Sequence, residues 1–388
     1  MSLRVMTIYG TRPEAIKVAP IIRAIEADGD MENITVVTGQ HREMLDQVNI
    51  LFGIEPDHDL DIMAGEQTLN GIVAKVISGV DGILETEKPD VVIVQGDTST
   101  VMGAAIAAFN RRVPVVHLEA GLRSGDIGSP FPEEANRKLT GQIAALHLAP
   151  TQTSKANLTR EDVSENDIVV TGNSVIDTLM YATENLAVRF EDERLEALQQ
   201  AHLAGKAGRV LLVTAHRREN LGIVMEGIGE AVAEIARKYP ELTIVFPLHR
   251  NPKVRGAIRP AVEDLDNVLL LEPLPYAQFT RALSLADVVL TDSGGVQEEA
   301  PSLGKPVLVM RDNTERPEAV VAGTVKLIGT HPQRLVDEVS LLLDSEEAYR
   351  GMANAVNPYG DGDAAGRTLE AIRWKFLGAE ERPVDFLA

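Results

Sequence analysis

Three carboxylates in this chain stand where an enzyme places groups that move protons. Asp97 follows the apolar run Val91 to Val94; Glu119 lies in His117-Leu118-Glu119-Ala120-Gly121, after the run Pro114-Val115-Val116; Glu133 comes shortly afterwards in Pro132-Glu133-Glu134. Runs of this kind read as strands of a parallel sheet, and open α/β sheets bind ligands at the carboxyl ends of their strands, where strand order reverses. Acids gathered at that edge suit proton transfer or the stabilisation of a cationic transition state. Taken singly, Asp97 reads as a helix cap and Glu133 as a solvated loop carboxylate. Glu119 is harder to explain away, because an acid ending so apolar a strand is partly buried and needs a partner.

A second set of residues suits an anion. Thr11-Arg12-Pro13-Glu14 follows the first apolar strand and has the form of a capping box with proline in the first helical turn. The helix therefore starts at the ligand edge, with its amides and positive dipole end toward an anion and with Arg12 and Lys17 adding charge. Asp292-Ser293-Gly294-Gly295 sits between the strand Val288 to Thr291 and a helix from Val296 to Leu303. There Gly294 and Gly295 let the backbone approach a diphosphate and Ser293 supplies a hydrogen bond. Glu299 is placed for ribose hydroxyls, and Arg316 reaches the same pocket from the next loop. His216, in Thr214-Ala215-His216-Arg217-Arg218-Glu219-Asn220, can steady a phosphate or a leaving group, while His117 reads as structural. Gln40, His41 and His249 lie on other strand-end loops. Asp361-Gly362-Asp363 has a metal-like spacing but falls in a glycine-rich turn, so no essential metal is expected. Neither a Gly-x-x-x-x-Gly-Lys-Ser/Thr loop nor a Gly-x-Gly-x-x-Gly pattern is present, which weakens ATPase and dehydrogenase readings and argues for no cofactor.

The elements that must carry these residues alternate along the whole chain. Short β-branched runs at 3–8, 34–38, 91–94, 113–117, 146–149 and 168–171 are separated by helical stretches, as in βαβ units. A charged, helix-prone region from Val188 to Lys206 follows, and the alternation restarts at 210–214, 242–246, 268–271, 288–291 and 307–310. The expected fold is α/β, two doubly wound Rossmann-like domains facing a cleft, a GT-B-type architecture. The first would span 1–172 and the second, nucleotide-binding, 173–363, with the Thr171-Gly172-Asn173 turn as the crossing. The last helix, with the rest of 364–388, is expected to pack back on the first domain.

At 388 residues, two domains are the natural expectation. A net charge of -21 opposes loose binding to nucleic acid or anionic membrane, and 4% aromatics provide little for base stacking. Cysteine is absent, which removes disulfides and thiolate chemistry. The amino terminus lacks the basic start and cleavage site of a signal peptide, and no apolar run approaches bilayer-spanning length. A soluble cytoplasmic protein is expected.

The ordered motifs Gly10-Thr11-Arg12-Pro13-Glu14, Thr38-Gly39-Gln40-His41-Arg42, Gln95-Gly96-Asp97-Thr98, His117-Leu118-Glu119-Ala120-Gly121-Leu122-Arg123, Thr171-Gly172-Asn173, His216-Arg217-Arg218-Glu219-Asn220 and Asp292-Ser293-Gly294-Gly295 carry a resemblance over nearly the whole chain. So do Pro132-Glu133-Glu134, with Asn136 and Arg137, and Arg316-Pro317-Glu318. The chain resembles the non-hydrolysing UDP-N-acetylglucosamine 2-epimerases. The resemblance implies reversible exchange of UDP-N-acetylglucosamine with UDP-N-acetylmannosamine through loss and re-addition of UDP, no nicotinamide, and a homodimer. It implies Asp97, Glu119 and Glu133 as catalytic carboxylates, with His216 at the leaving group. Arg12, Lys17, Ser293, Gly294, Gly295, Glu299 and Arg316 would bind the UDP-sugar, and Phe279 is the candidate for uracil. Gln40, His41, Arg217 and His249 are the residues for a second, activating substrate molecule. A glycosyltransferase of the same architecture, a hydrolysing epimerase and a non-catalytic sugar-nucleotide-binding module are the rival readings.

Overall fold

A computed structural model describes residues 2–39, 42–62, 67–314 and 316–388, with 42–44 described by backbone only. Gln40 and His41 lie outside the described residues. The chain divides into two compact units, Met1–Thr178 with Tyr359–Ala388, and Leu179–Pro358. The division thus falls inside the helix Val175–Asn185, beyond the Thr171-Gly172-Asn173 turn.

The first unit is built on seven parallel strands: β1 (Leu3–Tyr9), β2 (Met31–Val37), β3 (His58–Asp59), β4 (Val91–Gln95), β5 (Val115–Leu118), β6 (Leu146–Ala149) and β7 (Ile168–Val170). Their order is β3-β2-β1-β4-β5-β6-β7, so the chain reverses direction across the sheet between β1 and β4. Every residue of β4 is buried, the pattern of a strand covered on both faces. Met6, Ile8, Val36, Val92 and Val94 pack against Val76, Val80, Ala104 and Ala108 of the covering helices.

The second unit holds β8 (Val210–Thr214), β9 (Thr243–Pro247), β10 (Val268–Leu271), β11 (Val288–Thr291), β12 (Val307–Val309) and β13 (Val325–Leu327), in the order β10-β9-β8-β11-β12-β13. This is the doubly wound order of dinucleotide-type sheets, with its reversal between β8 and β11. Leu211, Val213, Phe246 and Leu290 form its core with Ile228, Ile235, Ile258 and Leu335. The expected α/β plan of two Rossmann-like sheets is therefore present. Two strands, β3 and β13, were not expected: both are edge strands, of two and three residues.

The helix Ala364–Phe376 packs against the helix Arg12–Glu26 and is tied by Arg373 to Asp28 and by Lys375 to Asp167. Its amino-terminal amides at Ala364 and Ala365 donate to the Asp177 carboxylate at 3.2 and 2.8 Å. Nearby, the Asn173 amide donates to the Tyr359 carbonyl at 2.7 Å. The two stretches that enter and leave the first unit are thus hydrogen-bonded side by side. After the helix, the tail runs along β7: the Phe386 amide donates to the Val170 carbonyl at 2.7 Å, and the Val170 amide to Asp385 at 3.0 Å.

Candidate active site

In the first unit the acids gather around the strand-order reversal. The loop after β4 carries Asp97, but the cap of the next helix, Ser99–Asn110, is the Thr98 hydroxyl, which accepts from the Val101 amide. The Asp97 side chain is thereby left for another partner. It meets Arg137 at 2.7 and 2.9 Å, while the Asn136 side chain donates to the Asp97 carbonyl at 2.8 Å. Arg137 also binds Glu134 at 3.1 Å, and Glu134, fully buried, accepts from the amides of Ser124 and Gly125. Burial raises the Asp97 carboxyl above the ordinary aspartate range; Arg137 opposes this, and the negative charge of Glu119 adds to it. Glu133 is the first residue of the helix Glu133–Ile143 and is partly buried.

Glu119 follows β5 with φ +60°, a left-handed conformation uncommon for a residue other than glycine, asparagine or aspartate and one that concentrates at functional sites. Gly121, two residues on, is fixed as glycine because its φ is +90° and a Cβ there would lie 2.2 Å from the Ser154 carbonyl oxygen. The Glu119 carboxylate forms an ion pair with Lys17 and accepts from the Gln95 side chain at 2.7 Å and the Asn173 side chain at 3.4 Å. Lys17, expected to serve the diphosphate, is the cation of this pair. The helix start at Thr11 does form the capping box, but Glu14 occupies its donors, accepting from the amides of Gly10 and Thr11 at 2.7 and 2.9 Å. What this helix start presents outward is the exposed Arg12. His117 is buried, which lowers its pKa to about 4 and keeps it neutral, and it bonds the Gly96 carbonyl at 2.7 Å, fixing the residue before Asp97.

In the second unit the loops after β8 and β11 meet through Asp292. This fully buried carboxylate accepts from the amides of His216 and Arg217 and from the Asn220 side chain, and its Oδ1 lies 3.0 Å from His216 Nδ1. Burial alone would raise its pKa, but the His216 bond and charge and the backbone donors outweigh that and lower it. Asp292 thereby orients the His216 ring, with Nδ1 turned to the carboxylate and Nε2 away from it. His249 stacks on His216 with ring centroids 5.9 Å apart. Arg217 donates to the Asp292 carbonyl at 2.9 Å.

The glycine-rich turn opens the helix Gly294–Ser302, with Ser293 before it and Gly295 exposed. Arg316 lies directly on Gly294, where a Cβ would come within 2.7 Å of its guanidinium, and it pairs with Glu298 at 2.6 Å. Glu299 is buried and accepts from the Tyr276 hydroxyl at 3.4 Å, and Phe279 is partly buried on the helix Tyr276–Leu285. Among the described residues, no group of three His, Asp or Glu is arranged to hold a metal ion.

The sequence reading quoted the holders Gln95, Glu134, Arg137, Asn173 and Asp292 only as members of motifs and gave them no role. Arg137 lies 40 residues from Asp97, and its place in the motif with Pro132-Glu133-Glu134 is what hints at its role.

Fold and site together define an α/β enzyme of the two-Rossmann plan, with acid–base groups at one strand-order reversal and a cation-lined glycine turn at the other. A family model described as UDP-N-acetylglucosamine 2-epimerase matches residues 23–373. A Yersinia pestis protein named UDP-N-acetylglucosamine 2-epimerase is 51% identical over 371 residues, covering 96% of this chain and 98% of its own. A crystal structure from Listeria monocytogenes superposes with TM-score 0.93 at 45% identity, over 100% of both chains. The Neisseria meningitidis UDP-GlcNAc 2-epimerase, solved bound to UDP-GlcNAc, gives TM-score 0.84 at 46% identity, over 95% of this chain and 99% of that one. The chain belongs to the UDP-N-acetylglucosamine 2-epimerase family, whose members are isomerases.

Proposed function

We propose that this chain interconverts UDP-N-acetylglucosamine and UDP-N-acetylmannosamine by elimination and re-addition of UDP. The C2 proton is not next to a carbonyl, so it cannot leave as a simple carbanion. Cleavage of the C1–O bond, with its electron pair going to UDP, gives C1 oxocarbenium character and makes the C2 proton acidic. Loss of that proton to a base forms the C1=C2 double bond of 2-acetamidoglucal. Return of a proton to the other face of C2, with attack of the UDP oxygen on C1, completes the inversion.

The observation that carries this reading is the pairing of Asp97 with Glu119, two carboxylates with contrasting partners at one strand-order reversal. Neighbouring acids with different environments divide into proton donor and anion. Glu133 is the third carboxylate of the set. Arg12, Lys17 and the Ser293-Gly294-Gly295 turn are assigned to the diphosphate, Arg316 to the substrate and Glu299 to the ribose. Phe279 is assigned to uracil. His216, oriented by Asp292, protonates or steadies the departing UDP. Arg217 and His249, beside this histidine, are proposed with Gln40 and His41 for a second, activating substrate molecule. The relatives' names and the UDP-GlcNAc bound to the Neisseria enzyme give the substrate class.

Proton NMR of the protein with UDP-N-acetylglucosamine in deuterium oxide, without metal, nicotinamide or acceptor, tests the proposal. UDP-N-acetylmannosamine with deuterium at C2 of both epimers is the expected result. Free N-acetylmannosamine with UDP would replace it with a hydrolysing epimerase, and an unchanged spectrum would overturn it. The protein is further proposed to act in the cytoplasm as a homodimer; a monomer mass in light scattering would refute the dimer. Among the described residues, no helix is long and apolar enough to cross a membrane.

A further inference from the structure

We infer that Gln95 and Asn173 are positioning residues that hold Glu119 as a carboxylate of fixed aim, leaving Asp97 beside it as the group that carries the proton. The inference rests on the proposed epimerase chemistry and divides the labour between its two acids.

A carboxylate can only accept, whereas a carboxylic acid must also place its own proton. Glu119 faces donors: Lys17 Nζ and the Asn173 amide at one oxygen and the Gln95 amide, 2.7 Å away, at the other. Donors on both oxygens favour the charged form. Gln95 and Asn173 are nearly inaccessible at 2% and 4% exposure, and both are themselves fixed. Gln95 is the last residue of β4, and the Asn173 side-chain oxygen accepts from the Val175 amide at 3.1 Å while the Asn173 backbone amide donates to the Tyr359 carbonyl. A rigid second layer of this kind is what keeps a reacting group at working geometry.

Little free space lies beside these donors. The cavity bounded by Gln95, Glu119, Asn173, Ser174 and Thr368 measures about 10 Å³, room for no more than about one water. Gln95 and Asn173 therefore act through Glu119. The backbone is committed to the same arrangement, since Glu119 holds its left-handed φ of +60° within it. The charged groups around Glu119 include Lys17 and Asp97, the latter with Arg137; His117, two residues before it, is neutral. Asp97 differs from Glu119 in that Arg137 meets its Oδ2, at 2.7 and 2.9 Å, whereas Glu119 has donors on both oxygens.

Two substitutions at one position test the inference. Gln95→Leu removes a donor, and Gln95→Glu sets an acid against an acid in the same volume. Expected for Gln95→Leu is a fall in kcat of about 10- to 100-fold, the worth of a hydrogen bond to a charged group, with KM and UDP affinity near wild type. The acidic limb of its kcat/KM profile should move to higher pH, because less of Glu119 is ionised at a given pH. Gln95→Glu should move that limb further, and Asn173→Asp should move it in the same direction. Acidic limbs that stay at the wild-type position overturn the inference. So does a loss of UDP binding in step with kcat in both Gln95 variants, which would make the residue merely structural. Glu119→Gln separates the two readings. If it keeps wild-type turnover, the catalytic role of Glu119 fails; if it is inactive while the Gln95 variants titrate like wild type, only the positioning role fails.

Discussion

Asp97 shows how one side chain is freed from a bland role for the chemical one proposed for it. Thr98 takes over the helix cap, and Arg137 then holds the freed carboxylate. Asp97→Asn, Glu119→Gln and Glu133→Gln should each lower turnover by about 100-fold or more, the usual worth of a positioned acid or base, while UDP binding by calorimetry stays near wild type. Glu134→Gln is expected to behave differently, because Glu134 ties Arg137 to the amides of Ser124 and Gly125. It should lower the unfolding midpoint as well as activity, and equal midpoints for the Glu133 and Glu134 variants would contradict that distinction. Asp177 carries the pH prediction. Burial raises its pKa from 3.8 to about 6 against the pull of the Ala365 and Ala364 amides. A carboxyl raised on folding contributes its stability fully below about pH 4 and loses it as pH climbs through about 6, at most about 1.4 kcal/mol per pH unit. Asp177→Asn has no proton to lose. In urea unfolding at pH 4.5 and 7.5, the variant should therefore gain on the wild type at the higher pH, and a constant difference would contradict this.

Among the elements, the strands were legible wherever β-branched residues ran together, as in Val91-Val92-Ile93-Val94. They were illegible where pairing rather than composition makes the strand, as in His58–Asp59 and Val325–Leu327, which only complete sheet edges. The acids and the glycine turn could be read because each follows a strand directly. Their holders could not, since Arg137 and Asn173 reach Asp97 and Glu119 only through the folded sheet. The tail was expected on the first domain, but its course along β7 could not be read, for the same reason. Its bonds from Phe386 and Asp385 to Val170, with Lys155 on Asp385 at 2.8 Å, occupy polar groups along an edge strand that would otherwise invite pairing with another chain. Deleting residues 380–388 should lower the thermal midpoint and raise light scattering on storage. A truncated chain that stays clear and melts like the full one would show that β7 needs no cover.

Over the whole molecule, each unit closes its own hydrophobic core, so stability is spread between two sheets while the proposed proton chemistry is confined to the first. The polypeptide leaves that unit through Asn173 to Thr178 and returns at Tyr359. Asn173 and Tyr359 are bonded to each other, and the hydroxyls of Ser174 and Thr178 bond the carbonyls of Lys17 and Ile16 at 2.7 and 2.6 Å. In mechanical terms the outgoing and returning passes are a single braided cable, clamped to the helix that carries the counter-ion of Glu119. Slack introduced into either pass is felt at that ion pair before it is felt by either core. A protease site inserted between Pro358 and Tyr359 and then cleaved should leave both cores folded by calorimetry yet cost turnover about tenfold or more. On that expectation the integrity of a connecting segment is itself a condition of catalysis.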